Sequence, residues 1–381
     1  MIYLDNAAST KARKEVAEII MDVLLNDYAN PDAIHEFGLE VSKKIKKVRE
    51  ITADSLNVSP KEIYFTSGGS EGNNILIQGI INANSRKKKH LITTKIEHPS
   101  VYEIFREYEG RGFDVTYLNV DSYGRVSLEE LAESITDETI LVSIIAVNSE
   151  VGTIQKLEEI GKLIKEKNPS TVFHIDFVQG YGHVAINLKK SNIDTLTVSG
   201  HKIHGPKGVG AIYLSEKIKI KPIIFGSNQE SGVVQRTLNS SGIIGFGKAV
   251  EIMKENFERE NKYIKELKEF FIEKINEEIE DIRLNSSIEE DFVDHIINIS
   301  FRGVMGEVLV HFLGIKKIFA STGSACSSKK GNSRILESMG LSEKEVEGGI
   351  RFSFSVYNTK EEIVETVRVL KESVSMIRMM K

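Results

Sequence analysis

Four short stretches, HLITT (90–94), VTYLNV (115–120), ILVSIIAV (140–147) and TVFHID (171–176), are rich in apolar and β-branched residues. Several of them offer no polar face. A strand of that kind must be covered on both sides, the condition of a sheet sandwiched between helices. The intervening segments VYEIFREYEGRG (101–112) and LEEIGKLIKEKN (157–168) carry apolar residues at helical spacing. Parallel neighbours need a crossover of this length, so the alternation predicts an α/β fold with a mostly parallel sheet flanked by helices.

The pattern extends to both sides. ARKEVAEIIMDVLLNDY (12–28) and VSKKIKKVREITADSL (41–56) read as helices, EIYFT (62–66) as a strand and EGNNILIQGIINAN (71–84) as a helix after a Gly-rich turn. A charged stretch, roughly 247–281, reads as a linking helix. HIINISF (295–301), GEVLVHFLG (306–314), IRFSF (350–354) and a final helix from 359 then suggest a smaller α+β unit. A chain of 381 residues exceeds what one core usually serves. The expected division is a large domain over 13–250, with 1–12 and 251–381 forming the small one.

Composition mostly excludes. A net charge of −5 gives no reason to expect nucleic acid. A single cysteine rules out an intrachain disulfide framework and a Cys-rich zinc site. No apolar run approaches the roughly 18 residues of a membrane span. The N-terminal MIYLDNAAST has no basic, apolar leader pattern, so a reducing cytoplasm is expected.

Three segments carry chemistry. In FTSGGSEGNN (65–74) a strand runs through glycines into a helix, where free backbone N–H groups make an anion site, with Gly69 and Ser70 at its start. Taken alone, it is equally an ordinary strand–helix turn. In HIDFVQG (174–180), Asp176 and Gln179 follow an apolar strand, where open α/β sheets bind ligands. An isolated Asp there is more often a turn residue. In TLTVSGHKIHGPKGVGAIYL (195–214), Lys202 lies between two strands among Ser199, Gly200 and His201. A lysine withdrawn from water loses basicity and can serve as a Schiff-base nucleophile. His201 and His204 lack a third ligand at suitable spacing, so no metal is expected. A phosphate cradle, an acid for a ring nitrogen and a Schiff-base lysine together are what pyridoxal 5'-phosphate requires. His98, in KIEHPSV (95–101), is a candidate to stack on its ring, or else simply caps a helix.

With these residues in view, the sequence resembles the cysteine desulfurases of the NifS/IscS type, in the class V aminotransferase family of fold-type I pyridoxal phosphate enzymes. YLDNAAST (3–10), NPDAIHEFG (30–38), FTSGGSEGNN, EHPSV, HIDFVQ, SGHKIHGPKG, STGSACSS (321–328) and GGIRFSF (348–354) carry the likeness, in the family's order. The resemblance implies a large domain with a seven-stranded, mostly parallel sheet and a smaller α+β C-terminal domain. It gives Lys202 the cofactor linkage, Asp176 the ring nitrogen, Gln179 the ring hydroxyl and His98 the ring face. Gly69, Ser70, Ser199 and His201 would hold the phosphate, with Thr237 reaching it across a homodimer interface. Asn6, Ser149 and Arg351 would meet the substrate, Arg351 as the carboxylate clamp. Lys202, His98 and Cys326 would be catalytic: L-cysteine becomes L-alanine, and its sulfur becomes a persulfide on Cys326. Such a carrier needs a mobile tether, which Gly and Ser around Cys326 suit, and Lys329 and Lys330 favour its thiolate. The sulfur would pass to an acceptor protein of iron–sulfur assembly or tRNA thiolation.

The chain departs from the family's pattern in three places. The usual Asn-Asn-Glu is Asn148-Ser149-Glu150, the Arg-bearing loop before Thr237 is QESGVVQRT (229–237), and Ser355-Val356 replaces Gly-Arg. Two other readings therefore stand beside the first: a class V lyase or aminotransferase acting on selenocysteine or another small amino acid, and a pyridoxal phosphate scaffold with little turnover.

Overall fold

The structure, a computed structural model, describes residues 1–85, 89–323 and 333–380. A short strand β1 (Ile2–Tyr3) precedes α1 (Lys14–Asn26) and α2 (Glu36–Leu56). Strands and helices then alternate: β2 (Ile63–Thr66), α3 (Gly69–Asn84), β3 (His90–Thr94), α4 (Pro99–Gly110), β4 (Asp114–Leu118) and α5 (Leu128–Ser134). They continue as β5 (Thr139–Ile145), α6 (Leu157–Lys167), β6 (Val172–Asp176), β7 (Thr195–Ser199) and β8 (Gly210–Leu214).

These strands form one seven-stranded sheet in the order β2-β8-β7-β6-β5-β3-β4. From β4 to β7 all neighbours are parallel, and β8 runs antiparallel to both β7 and β2. The α/β class and mostly parallel seven-stranded sheet expected from the sequence are what is observed. Every residue of β3, β5, β6 and β7 is buried. Successive side chains go to opposite faces: Leu91, Leu141 and Val172 join the apolar cluster under α3 and α4. Their neighbours Ile92, Val142 and Phe173 join the cluster with residues of α2 and α6. That period of two, filled on both faces, is why these strands show no polar stripe.

The linking helix α7 (Ser240–Glu278) begins seven residues earlier than the charged stretch indicated. Its first turns, SSGIIGFG, are small and apolar because they pack against the large sheet's helices, so charge misplaced the boundary. Asn239 caps it by accepting the Gly242 N–H at 3.0 Å. The second half of α7 contributes Ile264, Leu267, Phe271 and Ile275 to a different core. That core is built from β9 (Ile282–Leu284), β10 (Ile296–Phe301), α8 (Gly306–Ile315), β11 (Ile318–Phe319), β12 (Gly349–Ser353) and α11 (Lys360–Met379), while α9 (Arg334–Ser338) and α10 (Glu343–Glu347) pack in a smaller cluster with Ile96, Ile145 and Val151. The sheet β12-β10-β9 is antiparallel. β1 pairs with β11, which ties the N-terminal residues Ile2 and Leu4 into this second core.

Candidate active site

The carboxyl ends of β3, β5 and β6, with the turns after β2 and β7, converge on a cavity of about 290 Å³. Gly69, Ser70, His98, Ser149, Asp176, Gln179, His201, Lys202 and Arg351 all line it, with Ala7 and Ala8 from the N-terminal segment. Ser199 lines an adjoining hollow of about 370 Å³, shared with Gly69, Ser70 and His201. Asn6 is absent from the cavity lining; its amide is spent on the carbonyls of Tyr3 and Ser353, at 3.2 and 2.9 Å. Thr237 is exposed on the single chain. Cys326, Lys329 and Lys330 lie outside the described residues.

Lys202 closes a single 3-10 turn, Gly200–Lys202, directly after β7. Its Nζ donates to the carbonyl oxygens of Ala7 and, at 3.0 Å, Ala8. Burial, and then the Arg351 guanidinium, hold the amine down to about 8, while Asp176 and Asp5 pull it back up. At neutral pH a usable fraction of this amine is therefore unprotonated.

Asp176 ends β6 and keeps one oxygen on the Val178 N–H (3.0 Å) and the other on Asn73 Nδ2 (2.9 Å). Asn73 also donates to Ser100 Oγ at 2.9 Å, and that hydroxyl lies 2.8 Å from His98 Nδ1. His98 Nδ1 further accepts the Ser100 N–H at 3.1 Å, as the cap of α4. His98 is thus both the helix cap and a cavity residue. With Nδ1 accepting, its proton sits on Nε2; burial lowers its basicity, against a smaller upward pull from Asp176.

Arg351 is almost wholly buried within β12. Nη2 pairs with Asp5 Oδ1 and Nη1 donates to Ser149 O, both at 2.8 Å. Its Nε has no acceptor among the described residues. The unusual Ser149 therefore meets Arg351 through its backbone. Beside it, Glu150 Oε2 accepts from Ser333 Oγ at 2.6 Å, and Gly323 packs on the same carboxylate. The residues on either side of 324–332 thus lie next to the cavity wall.

Several functional-looking groups escaped the sequence reading. Asp5, Asn73 and Ser100 orient the charged residues, and Glu97 is a fully buried carboxyl that burial pushes up to about 8. Their signal was present only as membership in YLDNAAST, FTSGGSEGNN and EHPSV. In 229–237, Glu230 and Ser231 adopt left-handed φ of 45° and 54°. Glu230 is held there by Arg49 and by the Phe65 N–H at 2.8 Å. Arg236 pairs with Glu71 at 3.3 Å.

The residues fit pyridoxal phosphate. Gly68, at φ 142°, turns the chain into α3, whose first N–H groups have no intrahelical acceptors and suit a phosphate. A Cβ on Gly69 would lie 2.8 Å from Val178 Cγ2, so the cradle requires glycine there. The orphaned Arg351 Nε suits a carboxylate.

A mostly parallel sheet flanked by helices, with a buried lysine amine at its strand ends, is the architecture of the fold-type I enzymes. The chain belongs to the aminotransferase class-V family, whose match spans residues 2–365, and within it to the cysteine desulfurases. It is 42% identical over 381 residues to the cysteine desulfurase IscS of Clostridium botulinum, covering 100% of this chain and 96% of that one. A solved NifS-like protein superposes with a TM-score of 0.93 at 34% identity, covering 98% of this chain and 99% of that one. A structure described as SspA in complex with cysteine gives 0.84 at 34% identity, over 94% and 100% of the two chains.

Proposed function

We propose that this enzyme takes sulfur from L-cysteine, releases L-alanine and carries the sulfur as a persulfide on Cys326 to an acceptor protein. The single observation that carries this reading is the Lys202 amine, held down to about 8 inside a cavity that also presents Asp176, His98 and Arg351. Pyridoxal phosphate would be held by Lys202, by Asp176 at its ring nitrogen, by Gln179 and His98 at its ring, and by Gly69, Ser70, Ser199 and His201 at its phosphate. Bound there, it supplies an electron sink that acidifies the substrate α-carbon.

The chain's own groups do the rest. Arg351 turns its guanidinium, already oriented by Asp5, to the substrate carboxylate. Lys202 Nζ, once neutral, moves the α-proton, and His98 Nε2 holds a proton for the sulfur side. Cys326 forms an S–S bond to the substrate sulfur as the substrate C–S bond breaks. The electron pair remains on the carbon fragment, which is protonated to alanine. A persulfide carrier needs a reducing compartment, which supports a cytoplasmic setting.

Other features support assembly. Met21, Leu24, Leu25 and Tyr28 on or just after α1 are exposed, as is Thr237, consistent with a homodimer in which Thr237 serves the partner's phosphate site. The two apolar cores support domains over 13–250 and over 1–12 with 251–381. The acceptor would be an iron–sulfur scaffold or a tRNA-thiolation protein.

The test is incubation with L-cysteine, alanine quantification and mass analysis of Cys326. Alanine together with added sulfur on Cys326 is expected; neither product would overturn the reading. Sulfide release persisting in Cys326→Ser would point to a lyase.

A further inference from the structure

Gln179 lines the cavity, and what lies behind it is unusual: two histidine rings stacked face to face. His183 and His295 have centroids 3.6 Å apart and planes inclined by 20°. His295 Nε2 lies 3.4 Å from Gln179 Oε1, and Gln179 Nε2 donates to Ala7 O at 2.7 Å. On the far side, His183 Nδ1 lies 3.2 Å from Asn261 Oδ1, whose own Nδ2 donates to Gly182 O.

The protonation states follow from these partners. Asn261 uses its amide nitrogen on Gly182, so its oxygen accepts and His183 carries its proton on Nδ1. His295 is buried, with Nδ1 lacking any partner among the described residues. A neutral ring has one proton, and a buried N–H without an acceptor is costly, so that proton sits on Nε2, facing Gln179. Burial and the charges of Lys268, Lys202 and Arg351, with the His183 ring, all disfavour a second proton on His295.

A glutamine amide can otherwise present either end to a cavity. Here Ala7 O can only accept and His295 Nε2 can only donate, so both ends of the amide are specified. The remaining N–H of Gln179 is left for the cavity.

We propose that His295, braced by His183, is a positioning residue that fixes the Gln179 amide so that it offers an N–H, never a carbonyl, to the oxygen on the bound cofactor's ring. This rests on the pyridoxal phosphate reading above. The donor stabilises negative charge on that oxygen, so losing it leaves the neighbouring proton more tightly held.

The test compares wild-type enzyme, His295→Leu and His295→Gln, each loaded with pyridoxal phosphate. The readouts are the pH midpoint of the cofactor's visible absorption, its rate of loss on dialysis, and thermal unfolding. His295→Leu should raise the midpoint by about half a unit or more and speed cofactor loss about tenfold. His295→Gln, which restores a donor of similar reach, should sit close to wild type on both. An unchanged midpoint in a folded His295→Leu, or His295→Gln behaving like His295→Leu, would overturn the proposal. Should His295→Leu fail to fold, His183→Phe, which keeps a stacked ring, must hold the midpoint while His183→Ala shifts it; equal behaviour of that pair would also overturn it. A wild-type protein that develops no visible absorption with pyridoxal phosphate would defeat the cofactor reading itself, a result distinct from the others.

Discussion

Lys202 and Lys268 are both buried amines held down to about 8 chiefly by lost hydration, yet their surroundings differ in kind. Lys268, on α7, donates to Val293 O at 2.8 Å, lies 5.9 Å from the Phe292 ring centre and is drawn back up by Asp294. It joins a helix to the chain entering β10. Lys202 instead borders open space and is flanked by opposing charges, Arg351 on one side and Asp176 with Asp5 on the other. Lowered basicity is thus common to both lysines and does not by itself mark a nucleophile. Room for a carbonyl beside the amine, with charges that can respond to it, is what makes a nucleophile.

The largest expected contrast is chemical. Lys202→Ala should cut alanine formation at least about a thousandfold and remove the absorption band of the lysine-linked cofactor, leaving that of the free aldehyde. Lys268→Met should stay within about threefold of wild type, being remote from the cavity. Comparable losses in both variants would break the distinction.

A second contrast lies in pH dependence. In enzyme stripped of cofactor, capture of pyridoxal phosphate should quicken as pH rises through about 8, because only the neutral Lys202 amine attacks. Arg351→Gln should move that limb upward, since the guanidinium helps hold the amine down. A limb that does not move would show that another group is titrating.

The smallest effect belongs to Lys268 and to stability. The unfolded chain binds the Lys268 proton below about 10.5, the folded chain only below about 8, so stability should rise with pH between those values. In cofactor-loaded protein, Lys268→Met should flatten that rise by up to about 1.4 kcal/mol per pH unit, read by urea unfolding at several pH values.

The legible parts of the molecule were local. The strand at 172–176 announced itself by composition, and Lys202 by its place between two strands, because hydrophobic period and chain reversal act over a few residues. The start of α7 was misplaced because its first turns are buried rather than charged. The resemblance gave Asn6 a place at the substrate; in the fold its amide donates to the carbonyls of Tyr3 and Ser353, contacts that no local pattern announces. The pairing of Arg351 with Asp5 spans 346 positions and leaves no periodic trace in either segment.

Residue order alone was enough for the layered α/β architecture, the lysine between two strands and the glycine turn into α3, since each depends on short-range pattern and on backbone geometry near glycine. Tertiary structure decided which groups confront one another. It set Asp5 on Arg351, Asn73 between Asp176 and Ser100, and His183 on His295 behind Gln179. These contacts join segments far apart in the chain, and electrostatics and amide orientation depend on distance in space.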